Sequence, residues 1–248
     1  MQEGSMFTAL SGALSLKRRL DTVSNNLANV NTTGFKADRL NFDGVLSQAG
    51  QRPGGGPDDG VMFPVIREDY TDQAQGNLKQ TGRDLDFAIK GDGFFRVQTA
   101  EGEAYTRDGR FHLNNEGQLV DVDGRSVLNA EGEPVTLPSR EVTANGDGEL
   151  FVPGRETPVA RLGLVQAQEP QQLQKRGDNL YTSAEPNMQP ADGVRIRNGY
   201  LEGSNVNTME EMVKMMDLQR SFQSATKAMR TIDEAYSKNA QDLASAGR

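Results

Sequence analysis

Apolar and small side chains near the start of the chain fall at Met6, Leu10, Ala13, Leu16, Leu20, Val23, Leu27 and Val30, steps of four and three that line one helical face. A helix is predicted over most of residues 1–35, closing at Asn31-Thr32-Thr33-Gly34-Phe35. There Gly34 can take the left-handed C′ position and Phe35 can fold back onto Val30, as a Schellman ending requires. Near the other end, Thr208-Met209-Glu210-Glu211 reads as a capping box, with both acids facing the positive end of the helix dipole. The helix it opens carries a seam of Met215, Leu218, Phe222, Ala225, Met229, Ile232, Tyr236, Asn239 and Leu243. Met209, Met212, Val213 and Met216 widen the apolar face at its start.

The centre has a different period. From Asp86 to Val165 short runs of β-formers are separated by acid-glycine pairs at Gly102, Gly109, Gly117, Gly124 and Gly132. That spacing suits hairpins whose glycines supply positive φ, and it predicts a compact antiparallel β domain. Further strands are expected at Leu162–Val165, Leu180–Thr182 and Val194–Ile196. Residues 48–60 form a Gly/Pro tract that disfavours helix and strand alike and reads as a flexible link. The expected fold is therefore α+β. Two long terminal helices form a coiled-coil-like axial domain, connected by extended segments to a central antiparallel all-β domain. The boundaries are 1–35 for the first helix, 36–80 for the linker region, 81–200 for the β domain and 201–248 for the second helix region.

Composition narrows the function. Only 35% of the 248 residues are hydrophobic, thin for a single filled core, and neither helix has enough apolar surface to become ordered alone. Each is expected to order by docking on copies or relatives. The net charge of -8 resides in the centre, since residues 1–40 carry +2 and residues 204–248 are neutral. Such a balance speaks against nucleic acid and anionic lipid, both of which need a basic face. No apolar run is long enough for a membrane span, and Lys17-Arg18-Arg19 follows the first apolar residues, the reverse of a signal peptide. The chain is thus expected neither to insert in a membrane nor to lose a cleaved leader.

Chemistry is sparse. The lack of cysteine removes disulfides, thiolate metal sites and cysteine nucleophiles. Gly91-Asp92-Gly93 lacks the third glycine of a dinucleotide loop, and Asp121-Val122-Asp123-Gly124 lacks the later ligands of a calcium loop and reads as a turn. His112 is the sole histidine, and no Gly-x-Ser-x-Gly is present. No catalytic, metal or cofactor site is expected. The rival is a secreted enzyme acting on peptidoglycan, which would need a cleft with acids of perturbed pKa.

Four asparagines in Ser24-Asn25-Asn26-Leu27-Ala28-Asn29-Val30-Asn31 are unusual for a helix. Either the helix end is solvated, or the amides set register across packed contacts, as buried polar residues do in coiled coils. Residues 24–36, together with Asp86–Phe95, Tyr105–Phe111 and Leu201–Asn207, resemble the signatures of the bacterial flagellar rod, hook and hook-junction family. Ala9–Leu14, Val159–Val165 and Asn179-Leu180-Tyr181 are similar to its proximal-rod branch, with the distal-rod branch as runner-up.

The resemblance implies a subunit of the rod that crosses the periplasm and transmits torque. Its implied partners are copies of itself, proximal and distal rod neighbours, and the flagellar type III export apparatus. The expected assembly interface is Leu20, Val23, Asn25, Asn26, Leu27, Asn29, Val30, Phe35, Met215, Leu218, Phe222, Met229, Ile232 and Tyr236.

Overall fold

The computed structural model describes residues 2–47, 61–183, 187–191 and 193–246; the Gly/Pro tract at 48–60 lies outside the described residues. The chain divides into two units. One comprises residues 1–28, 38–70 and 207–248, the other residues 29–37 and 71–206.

The first unit contains α1 (Gln2–Ala28), β1 (Asp38–Ser47), β2 (Val61–Thr71) and α2 (Thr208–Ala246). β1 and β2 pair with each other, so the stretch read as an extended linker carries strands. α1 and α2 run against each other, yet the coiled-coil-like axial domain expected from the seams is corrected. Among the described side chains of α1 the buried ones are Ala13, Ser15, Val23 and Asn26, three small or polar groups to one branched one, with no leucine knobs. In α2 the only buried residue among the described side chains is Glu211, while Met215, Leu218, Phe222, Ala225 and Met229 stay partly exposed. Two long terminal helices flank a β-rich centre, but their seams are not closed on each other.

Both helix ends depart from the expected caps. α1 stops at Ala28, six residues before Gly34. Gly34 does adopt φ 71°, but its amide donates to the Glu202 carbonyl at 2.8 Å and not back to the helix. α2 is capped by Asn207, whose Oδ1 accepts from the amides of Met209 at 3.1 Å and Glu210 at 3.4 Å. Glu211 is free of the capping role because Arg39 and Lys214 hold its carboxylate, at 3.3 and 3.0 Å.

The second unit is antiparallel throughout its paired strands. Its strands are β3 (Leu78–Gln80), β4 (Phe87–Lys90), β5 (Phe94–Thr99), β6 (Gly102–Thr106), β7 (His112–Leu113) and β8 (Leu119–Val120). β9 (Thr143–Ala144), β10 (Glu149–Phe151), β11 (Ala160–Arg161) and β12 (Leu164–Ala167) follow. The last are β13 (Gln174–Gly177), β14 (Leu180–Thr182), β15 (Met188–Pro190), β16 (Arg195–Asn198) and β17 (Tyr200–Glu202). The main sheet has the order β13-β14-β6-β5-β12-β15. Alternation along β5 divides its side chains between two faces: Phe95 and Val97 enter the principal core with Phe87, Phe111 and Leu162, while Phe94 joins Tyr105, Leu173 and Tyr181.

A turn recurs between the short strands. Asn114, Asp121, Asn129 and Asn145 each place a side-chain oxygen on the amides two and four residues later. Three residues after each lies a glycine with positive φ: Gly117, Gly124, Gly132 and Gly148. The Asx side chain mimics a backbone turn and the glycine permits the left-handed step. Asp121-Val122-Asp123-Gly124 is one of these turns, as its sequence suggested.

Candidate functional site

Three distant segments of the second unit converge on one carboxylate. β17 pairs with β3, setting Glu202 opposite Leu78. Glu202 Oε1 accepts from Lys36 Nζ at 2.6 Å and from the Gly76 amide at 2.9 Å, while Oε2 accepts from Arg107 Nη1 at 3.1 Å. The Lys36 and Glu202 side chains are 0% exposed and Arg107 is 2% exposed. Lys36 Nζ also donates to the Ala74 carbonyl at 2.8 Å, and the Arg107 guanidinium lies 5.2 Å from the centre of the Phe94 ring.

The backbone beside this cluster is tied as closely. Asn205 accepts from the Ala37 amide at 2.8 Å and donates to the Asp72 and Ala74 carbonyls at 2.8 and 3.1 Å. Lys175 Nζ sits 4.0 Å from the Phe35 ring centre and donates to the Lys36 carbonyl at 2.9 Å. Residues 33–37 are therefore an integral piece of the β unit.

Two cations share one carboxylate here, and burial pushes the Lys36 ammonium below its ordinary value even though Glu202 opposes the shift. A group whose folded-state pKa is lowered in this way releases its proton in the folded chain while the unfolded chain still holds it. Stability linked to Lys36 therefore rises with pH between the lowered value and about 10.5. Urea unfolding at a series of pH values from 7 to 10 should show wild type gaining stability relative to Lys36→Met. Parallel curves would mean that Lys36 is not strained by burial.

The sequence-predicted interface residues scatter. Val23 is buried; Leu20, Leu27, Asn29 and Val30 are half-buried and Asn25 is exposed. Asn26 is 1% exposed, and its amide both accepts from the Asp38 amide and donates to the Asp38 carbonyl, each at 2.9 Å. This asparagine is buried and fixes the start of β1 inside its own chain. Phe35 is likewise buried, under Lys175. Met215, Leu218, Phe222 and Met229 are half-buried on α2, whereas the side chains of Ile232 and Tyr236 lie outside those described.

Sequence reasoning missed Lys36, Arg107 and Glu202 as a set, although each stands in a quoted signature. The available signal was a charged residue held between glycine and apolar neighbours in Gly34-Phe35-Lys36 and Leu201-Glu202-Gly203.

A depression of about 180 Å³ elsewhere on this unit is lined by Asp108, Arg110, Asp121, Asp123 and Arg125 among others. Its acids are gripped by arginines, Asp108 by Arg110 and Asp121 by Arg125, both at 2.6 Å. That pairing is poor ground for acid-base chemistry. Among the described residues no group of side chains is arranged to hold a metal ion, and no helix is long and apolar enough to cross a membrane.

Known families match this chain over three separate segments. Residues 6–36 match the description "Flagella basal body rod protein", residues 88–152 "Flagellar hook protein FlgE/F/G D1 domain" and residues 197–243 "Flagellar basal body rod FlgEFG protein C-terminal". A flagellar basal-body rod protein FlgF of Caulobacter vibrioides is 39% identical over 92% of both chains. The chain belongs to the flagellar basal-body rod protein family. Another FlgF, from Mesorhizobium japonicum, is 34% identical over 92% of both chains, and a FlgG of Bacillus subtilis is 35% identical over 93% of this chain and 95% of its own. As a rod-family member the chain is a structural component of the flagellar basal body, assembling with other rod proteins. Lys36, Arg107 and Glu202 come one from each matched segment, so the buried cluster is where the three family regions meet.

Proposed function

We propose that this protein is a FlgF-type subunit of the proximal rod, exported by the flagellar type III apparatus and polymerised through its terminal helices into a shaft that carries torque across the periplasm. The observation that carries this reading is the apolar surface left uncovered on both helices: Leu10 and Leu14 on α1, and Met209, Met212, Val213 and Met216 on α2, are 45% exposed or more. Large apolar groups at helical spacing are costly in water and are covered when subunits pack. Under this reading the half-buried Leu20, Leu27, Met215, Leu218, Phe222 and Met229 complete their burial in the polymer.

The test is removal of residues 1–28 and 208–248. The remaining β unit, which keeps Phe35, Lys36 and Glu202, should fold as a monomer by circular dichroism and sedimentation, while basal-body incorporation and motility disappear. Motility retained by the truncated chain would end the proposal.

A FlgG-type distal-rod reading is favoured by the Bacillus subtilis relative, whose identity is close to that of the FlgF proteins. Complementation of strains lacking one or the other protein separates the two.

A further inference from the structure

Asn145-Gly146 and Asn198-Gly199 are the chain's two Asn-Gly steps. In such a step the backbone nitrogen of the glycine can attack the asparagine side-chain amide, because no Cβ obstructs its approach. The fold treats the two steps oppositely. Gly199 adopts φ 73° and its amide donates to the Asp86 carbonyl at 2.8 Å, while Asn198 Nδ2 donates to the Asp84 carbonyl at 2.6 Å. Both reacting groups of that step are held apart by other partners.

At Asn145 the surroundings favour the attack. The Gly146 amide has no hydrogen-bond acceptor among the described residues, and only its carbonyl is engaged, by the Ile196 amide at 2.9 Å. Asn145 Oδ1 accepts from the amides of Asp147 and Glu149, at 3.0 and 2.9 Å. Attack on Cγ places negative charge on that oxygen, where two N–H groups already point. The leaving nitrogen, Nδ2, donates to Glu149 Oε2 at 2.8 Å, which fixes the orientation of the amide.

We propose that Asn145 is a self-modification site, deamidated by its own Gly146 nitrogen in the folded chain. The Gly146 nitrogen bonds to Asn145 Cγ and the Cγ–Nδ2 bond breaks. The proton given up by the attacking nitrogen ends on the departing group, which leaves as ammonia. The cyclic imide then takes up one water molecule and opens to aspartate or isoaspartate. No oxidant, reductant or cofactor enters the balance.

The molecule contains its own comparisons. Asn114 and Asn129 sit in the same turn with the same pair of amides on Oδ1, but Asn115 and Ala130 follow them. Only at Asn145 do the amide cradle and a following glycine coincide. The product also differs from a tolerated aspartate. Asp121 occupies the equivalent position with Arg125 four residues on, its Nε 2.6 Å from Asp121 Oδ2, whereas residue 145 has Glu149 there. Deamidation replaces a donor on Glu149 by a second carboxylate, and the turn between β9 and β10 loosens.

The test incubates full-length protein in mildly alkaline buffer, native and in urea, and follows each asparagine by peptide-mapping mass spectrometry. In urea the two Asn-Gly steps should react at similar rates. In the native chain Asn145 should outpace Asn198, Asn114 and Asn129 by at least about tenfold. Gly146→Ala should abolish the reaction at Asn145 without disturbing the fold, since the added Cβ meets nothing nearer than the Arg195 side chain at 3.9 Å. Asn145→Asp, which mimics the product, should unfold at lower urea concentration than wild type, and Glu149→Gln in the same chain should recover the loss. Native Asn145 that stays intact while it reacts in urea would overturn the proposal. So would equal rates at Asn145 and Asn198 in the native chain, or an unchanged rate in Gly146→Ala. An unfolding midpoint for Asn145→Asp equal to that of wild type would overturn the loosening of the turn.

Discussion

Glu202→Gln is expected to destabilise the β unit by about 3–5 kcal/mol, the cost typical of removing one partner from a buried ion pair. Glu202 serves the Lys36 ammonium, the Gly76 amide and the Arg107 guanidinium through its side chain, so its charge is shared by three donors with no water to replace it. Glutamine has nearly the same shape, which excludes a packing explanation. Its amide nitrogen must face one of those donors, and two buried cations then lack a counter-charge on that strand. Lys36→Met should cost less, because it removes one of the two cations and leaves the Arg107 pair and the Gly76 hydrogen bond in place. Urea unfolding monitored by circular dichroism gives the ranking. A loss below about 1 kcal/mol for Glu202→Gln would mean that the cluster is solvated in solution.

The effect should reach function through geometry. Gly34 donates to the Glu202 carbonyl, and Asn205 binds both the Ala37 amide and the Asp72 carbonyl. The segment that follows α1 and the strand that precedes α2 are consequently held side by side in the β unit. Chains carrying Glu202→Gln should be recovered in basal bodies at reduced yield even where they remain soluble.

How far this was legible from sequence depended on the kind of signal. Period and punctuation placed both helices, the start of α2 and the strand at Leu180–Thr182, because local spacing reports local structure. A coiled-coil-like closing of the two seams was expected from that spacing, and the seams do not close on each other. Periodicity says which residues share a face and says nothing of what covers it, and in α1 the covered face includes Asn26, whose partner is the backbone of Asp38. The Lys36–Glu202 pair was invisible for a related reason. Its members are 166 positions apart, and no local pattern encodes a contact at that distance. Short signatures around each residue marked them as special without indicating that they meet. The resemblance to rod proteins carried the functional reading, since nothing in composition separates a rod subunit from other polymer-forming chains.

The acid-glycine pairs show the same limit in miniature and yield the second large prediction. All five glycines read alike in sequence, yet Gly102, Gly117, Gly124 and Gly132 adopt positive φ and Gly109 does not. At Gly109 the constraint is space: a Cβ there would lie 1.7 Å from the Phe87 carbonyl oxygen and 2.8 Å from its carbon. The backbone of residues 109–111 crosses β4 at this point, with the Phe87 amide donating to the Gly109 carbonyl at 3.0 Å and the Phe111 amide to the Leu85 carbonyl at 3.3 Å. Gly109→Ala must push the two strands apart, breaking these bonds and separating Phe87 and Phe95 from Phe111, whose ring centroid lies 5.1 Å from that of Phe95. A loss of about 3 kcal/mol or more is expected, at the upper end for overpacking. Gly124 provides the contrast, with φ 83° and open space around its missing side chain. Gly124→Ala strains only its own backbone and should cost about 1 kcal/mol. Thermal and urea unfolding of the two variants measure the difference directly. Equal losses would show that the crossing at Phe87 opens easily and that the aromatic core does not depend on it.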